Sequence, residues 1–155
     1  MRKKRNKKTK RKRLPARSCL PCTACCTCIG VEELDKAPGE PCPHLTDKGC
    51  GIYPDRPETC RNWKCLWLNQ KADGKTDVLD RPDQLGIVIY PQNTQLGFAF
   101  CVFEVRPGAA REGLARNYIE AFAKRTAVFI MTNPRELLGP PEVLEKARDI
   151  LAEVS

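Results

Sequence analysis

The sequence predicts an α+β protein in which a small irregular cysteine-rich segment packs on a short mixed sheet with two helices. Three observations carry this. Nine of the ten cysteines fall between residues 18 and 70, among many prolines and glycines. Three short apolar runs follow, at 85–91, 98–105 and 127–131. Two later stretches repeat apolar residues at helical spacing.

The chain of 155 residues suits one modest domain with a small core. Residues 1–17 hold eleven Lys or Arg and no acid, so they predict a basic tail with too little apolar surface to fold. Removing those eleven from the 27 basic residues leaves 16 against 19 acidic ones, so the body is weakly acidic. Residues 18–70 form the cysteine cluster. They carry few large apolar side chains, so something other than a hydrophobic core must hold them together. Residues 71–155 read as an α/β segment that completes the same compact domain.

Within that last segment LGIVIYP, 85–91, predicts a strand, and QNTQLG is a link of hairpin length. FAFCVFEV, 98–105, is apolar on both faces and predicts a central strand. RPGAA ends it and starts a helix, in which Leu114, Tyr118, Ala121, Phe122 and Arg125 share helical spacing. AVFIM, 127–131, predicts a third strand. Leu144, Ala147, Ile150, Leu151 and Val154 stripe a final helix after Pro140-Pro141. Cys101 sits mid-strand and reads as a core thiol, and Phe98, Phe100 and Phe103 read as core. Arg106, Arg111, Arg116, Lys124 and Arg125 read as a solvated face. Asp77, Asp80 and Asp83 lack the spacing of a calcium loop and read as polar loop.

No segment approaches the ~18 apolar residues of a membrane helix, and no apolar stretch follows the basic N-terminus as in a signal peptide. The expected compartment is the cytoplasm, where thiols stay reduced. That moves the cysteine pattern away from disulfides and toward metal or redox chemistry.

Cys19, Cys22, Cys25 and Cys28 recur every three residues, with Cys26 beside Cys25. A C-x-x-C pair lets two thiolates turn toward one ion while backbone N–H groups point at the sulfurs. Cys42, Cys50, Cys60 and Cys65 form a second group, with His44 two residues beyond Cys42. A tetrahedral zinc site takes four ligands, so this set suits two sites, one multinuclear site, or an iron–sulfur cluster with thiols to spare. The first run is not the bacterial ferredoxin pattern: its last gap is two residues, and Ile29 stands where that pattern has proline.

CGIYPDRPETCRNWKC at 50–65, with C-x-x-C-x-x-C-C at 19–26 and CPHL at 42–45, resembles the YkgJ-type cysteine-cluster family, described as a zinc- or iron-chelating domain. The matching positions are Cys19, Cys22, Cys25, Cys26, Cys42, Cys50, Ile52, Tyr53, Arg56, Pro57, Cys60 and Arg61, about a third of the chain in span. A related motif occurs in longer lysine methylases, but this chain has no methyl-donor signature.

The expected ligands are Cys19, Cys22, Cys25, Cys26, Cys42, Cys50, Cys60 and Cys65, with Cys28 and His44 as further candidates. The expected metal is zinc or iron, the latter including an iron–sulfur cluster. Tyr53, Arg56 and Arg61 are expected to support the site, the arginines by offsetting thiolate charge. Tyr53, Trp63 and Trp67 would wall it from water. No nucleophile–base pair stands out, so the leading expectation is a metal-binding protein without catalysis of its own. Two other expectations are an iron–sulfur redox or protein-modifying enzyme, and a zinc-dependent module that meets RNA or protein. The tail could contact nucleic acid or another polyanion through phosphate charge alone.

Overall fold

The computed structural model describes residues 17–70 and 80–153. The tail expected at 1–17 therefore lies outside it except for Arg17, as do the 70/71 boundary, Asp77 and Val154.

The fold is α+β, as expected, with all regular structure short in the first half. Helix α1 is Cys25–Cys28, followed by a 3-10 turn at Glu32–Leu34. Strands β1 (Leu45–Thr46) and β2 (Gly49–Cys50) form a two-stranded hairpin. Helices α2 (Glu58–Asn62), α3 (Leu66–Asn69) and α4 (Pro82–Leu85) are single turns. Such turns lie far below the ~12 residues an isolated helix needs, so packing must hold them.

The second half is built on strands β3 (Ile87–Thr94), β4 (Gly97–Glu104), β5 (Ala127–Ile130) and β6 (Glu136–Leu138), in spatial order β3-β4-β5-β6. The β3–β4 and β5–β6 pairs are antiparallel and β4–β5 is parallel, so the sheet is mixed. Helix α5 (Gly113–Ala123) makes the parallel crossover, and α6 (Pro141–Glu153) closes the chain with Pro141 at its first position. FAFCVFEV is central, between β3 and β5. Pro91 is tolerated because β3 is an edge strand, where a missing N–H costs no ladder bond.

Several expectations shift. The first strand starts at Ile87 because 82–85 coil into α4, and the strands extend so far that only Gln95 and Leu96 link them. Gly86, which ends α4, has φ +82, and a Cβ there would meet the Ala109 Cβ at 2.9 Å, so only glycine fits. Strand β6 was not expected. Helix α5 buries Ala115 and Ile119, while Leu114 is 51% exposed and Ala121 is exposed, so its inner face is rotated from the expected stripe.

The sheet separates two apolar clusters. One face carries Ile87, Ile89, Val102, Val128 and Ile130 against Ala109, Ala110, Ala115 and Ile119. The other presents Val88 to Ala24 and Cys28, with Phe103, Val105 and Trp63 around them. The cysteine segment is thus seated on the sheet through this second cluster. Cys101 is buried, as expected. The three phenylalanines are not one core: Phe98 is 53% exposed, Phe100 packs on Phe122, and Phe103 stacks on Tyr90.

The basic face is also partly tied down. Arg116 bridges Glu120 and Glu136, and Arg111 pairs with Glu104 at 2.6 Å. The Glu104 side chain is 6% exposed and also accepts the Ala110 N–H at 3.0 Å. Burial alone would push its carboxyl up, but the N–H groups of Ala110 and Gly108 and the Arg111 charge reverse this and hold it below the usual carboxylate range. A depressed carboxylate stabilises the fold above its unfolded pKa, about 4.3, and that contribution is lost as pH falls through the folded value. Glu104→Gln is therefore expected to lower stability by roughly 1.5–3 kcal/mol at pH 7. In urea unfolding the deficit should shrink as pH falls below the unfolded carboxylate value and through the lower folded one. A deficit unchanged between neutral and acid pH would show that the carboxylate charge is not what stabilises this corner.

Among the described residues, no helix is long and apolar enough to cross a membrane.

Candidate metal centre

All eight expected ligand cysteines, spread from Cys19 to Cys65 in the sequence, line one cavity of about 70 Å³. All are free thiols. A volume of this size corresponds to roughly five water molecules, taking about 15 Å³ for each. Its floor is the sheet, through Val88, and α4, through Pro82.

Local structure explains how distant thiols meet. Ala24 is buried on Val88, and the single turn of α1 after it carries Cys25 and Cys26. The Cys42 N–H donates to the Cys26 carbonyl at 2.8 Å, which fixes the next loop against α1. The β1–β2 hairpin pairs Leu45 with Cys50, and the Leu45 N–H donates to the Cys42 carbonyl, so Cys50 returns beside Cys42. Helix α2 carries Cys60, and the Thr59 N–H in its first turn is held by the Glu33 carboxylate at 3.1 Å. Cys65 is the N-cap residue of α3.

Burial governs the thiols. It pushes Cys22, Cys60 and Cys65 up, with nearby thiols or carboxylates adding to the push. Cys25 is raised strongly, by the adjacent Cys26 thiol and by burial. Cys26, with the Cys25 thiol adjacent and the Lys36 ammonium nearby, is lowered to about 7.

The two further ligand candidates fall outside the cavity. Cys28 is buried against Ala24 and Val88, pushed up to about 11 by burial, and faces another hollow. His44 does not line the cavity; its carbonyl accepts the Gly51 N–H. Of the supporting residues, Tyr53 and Arg56 line the cavity, and the Arg56 guanidinium stacks 3.9 Å above the Tyr53 ring. Arg61 does not. It is exposed and donates to the Arg56 carbonyl at 2.7 Å, so it braces the neighbouring backbone rather than the sulfurs. Trp63 and Trp67 both line the cavity. Asp83, expected in a polar loop, sits in α4 beside the Cys22 thiol and pairs with Arg81.

Lys36 was missed by the sequence reading. It is 5% exposed and lines the cavity, and its Nζ donates to the Ile29 and Ala37 carbonyls. The tight turn that swings it inward runs through Asp35 at φ +49 and is closed by a bridge between Val31 and Lys36. Aspartate is one of the few side chains that tolerate this backbone.

Among the described residues, no three His, Cys, Asp or Glu side chains converge tightly enough to hold a single ion. The thiols ring the cavity instead. The surroundings nonetheless fit a thiolate–metal group. The donor set is all sulfur, the kind zinc and iron–sulfur centres take. The Arg56 Nε–H is buried on the wall without a partner among the described residues, as a donor awaiting an anionic acceptor would be. Rotation of a cysteine about χ1 between its staggered wells moves the sulfur toward the cavity centre without moving the backbone.

No family model matches the chain, and no curated protein or solved structure is similar to it. The likeness of its cysteine pattern to the YkgJ-type family rests on the motif residues alone.

Proposed function

We propose that this chain is a metal-binding protein that holds zinc or iron in its cysteine-lined cavity and carries no catalysis of its own. One observation supports the reading above all others: eight cysteines spread over residues 19–65 line a single small cavity. Free thiols gathered this way, with cations beside them, match a reduced compartment such as the cytoplasm. Cys25→Ser and Cys60→Ser are expected to release metal and to loosen the segment around them, read as metal content per chain and thermal midpoint. Full metal content in both variants would overturn the reading.

A second, weaker reading concerns the basic tail. Arg17 is seated at the rim of the cavity: it lies 4.9 Å over the Trp67 ring and donates to the Trp67 carbonyl at 2.6 Å. Residues 1–16 carry ten of the basic side chains. We infer that they contact a polyanion through phosphate charge, without sequence preference. Binding to a mixed-sequence RNA should weaken steeply with salt and vanish when residues 1–16 are deleted. Unchanged binding by the deleted chain would remove this role.

A further inference from the structure

We propose that the eight cavity thiols form two adjoining four-thiolate centres, one from Cys19, Cys22, Cys25 and Cys65 and the other from Cys26, Cys42, Cys50 and Cys60, meeting at the Cys25–Cys26 peptide. This deepens the metal-binding reading and rests on it.

A tetrahedral thiolate site takes four donors, and the cavity carries twice that number. The fold sorts them. Cys22 and Cys65 both pack on the apolar floor formed by Ala24, Cys28 and Val88, so they belong to the sheet side. Cys26 and Cys42 are joined by a backbone hydrogen bond of 2.8 Å, and the β1–β2 hairpin brings Cys50 back beside Cys42, so these three belong to the loop side. The remaining thiols divide by spacing. Cys19 and Cys25 each stand three residues from Cys22, so two consecutive C-x-x-C turns direct them to the ion that Cys22 holds. Cys60, on α2, is then the fourth donor of the loop side. Cys25 and Cys26 are consecutive, so the two sets touch there.

The charges fit the same division. A dication with four thiolates carries two formal negative charges, so paired centres would concentrate four of them in one cavity. Arg56 and Lys36 both line the cavity with the thiols. Lys36 is 5% exposed, and its ammonium would not be buried there at low cost without sustained negative charge opposite it.

The test is an anaerobic titration of the reduced, metal-free full-length chain with Co²⁺, following thiolate-to-cobalt charge-transfer absorption. The wild-type chain should saturate at two equivalents. Cys65→Ser and Cys42→Ser should each lose about half of that absorption. Cys19→Ser combined with Cys65→Ser should lose no more than Cys65→Ser alone, whereas Cys42→Ser combined with Cys65→Ser should lose all of it. Saturation of the wild-type chain at one equivalent would overturn the two-centre arrangement and leave metal binding standing. A same-set double variant that loses all cobalt would also overturn it. Failure of the wild-type chain to bind cobalt, zinc or iron at all would instead remove the metal-binding reading beneath it. Should the variants fail to fold, native mass spectrometry of the wild-type chain decides the matter, since two ions per chain support the arrangement and any other number contradicts it.

Discussion

Removing the proposed metal is expected to unfold residues 17–70 while the sheet keeps its strands. In that segment only Ala24, Cys28 and Val31 are buried apolar side chains, against a large cluster on the opposite face of the sheet. Its helices are single turns and its one hairpin has two residues per strand. Neither propensity nor burial offsets the entropy of ordering about fifty residues, at ~1–2 kcal/mol each for the backbone. A structural zinc site in a small domain contributes roughly 10–16 kcal/mol of apparent binding energy at pH 7, which is of the size required. Addition of a strong chelator should therefore abolish amide-exchange protection in 17–70 and expose Trp63 and Trp67 to quenchers. Protection should persist in β3, β4 and β5. Retained protection in the chelated segment would show that the fold there does not depend on metal.

Metal loading has a pH signature. Each ligand must shed its proton, so affinity should fall as pH is lowered below 7.

Lys36→Met is expected to destabilise the segment by about 1.5–3 kcal/mol, as for losing hydrogen bonds from a buried charged donor. The substitution leaves the Ile29 and Ala37 carbonyls without their shared donor and takes a positive charge from beside the thiols. Two readouts separate structure from charge: the denaturation midpoint of the metal-loaded chain, and the pH dependence of its metal loading. A variant with normal metal loading at every pH would reduce Lys36 to a packing residue.

How far the sequence carries the structure depends on whether a feature is local. The strands at 87–94 and 97–104 and the start of α6 at Pro141 were legible because β-branched and aromatic runs and proline act locally. Strand β6 was not, because Glu136–Leu138 is three residues between Pro134 and Gly139 and becomes a strand only by pairing with β5. In α5 the bulk of Leu114 suggested an inward face, but close approach to the sheet favours the small Ala115 with Ile119, and Leu114 faces water. The eight cavity cysteines were legible from spacing, which encodes the reach of a turn around a site. Cys28 and His44 share that spacing but are set aside by tertiary placement, Cys28 by packing on Val88 and His44 by lying off the cavity wall. Lys36 was invisible because a lysine in a polar turn reads as solvated; only the backbone at Asp35 turns it inward.

The central claim is that the cavity holds metal through its thiols. Its most direct test is metal content by mass spectrometry, joined to the visible absorption spectrum, on full-length protein purified without oxygen. The account predicts stoichiometric zinc or iron: colourless protein for zinc, and brown protein with acid-labile sulfide for an iron–sulfur group. Folded protein that is free of zinc and iron, with all eight cavity cysteines open to alkylation, would contradict it.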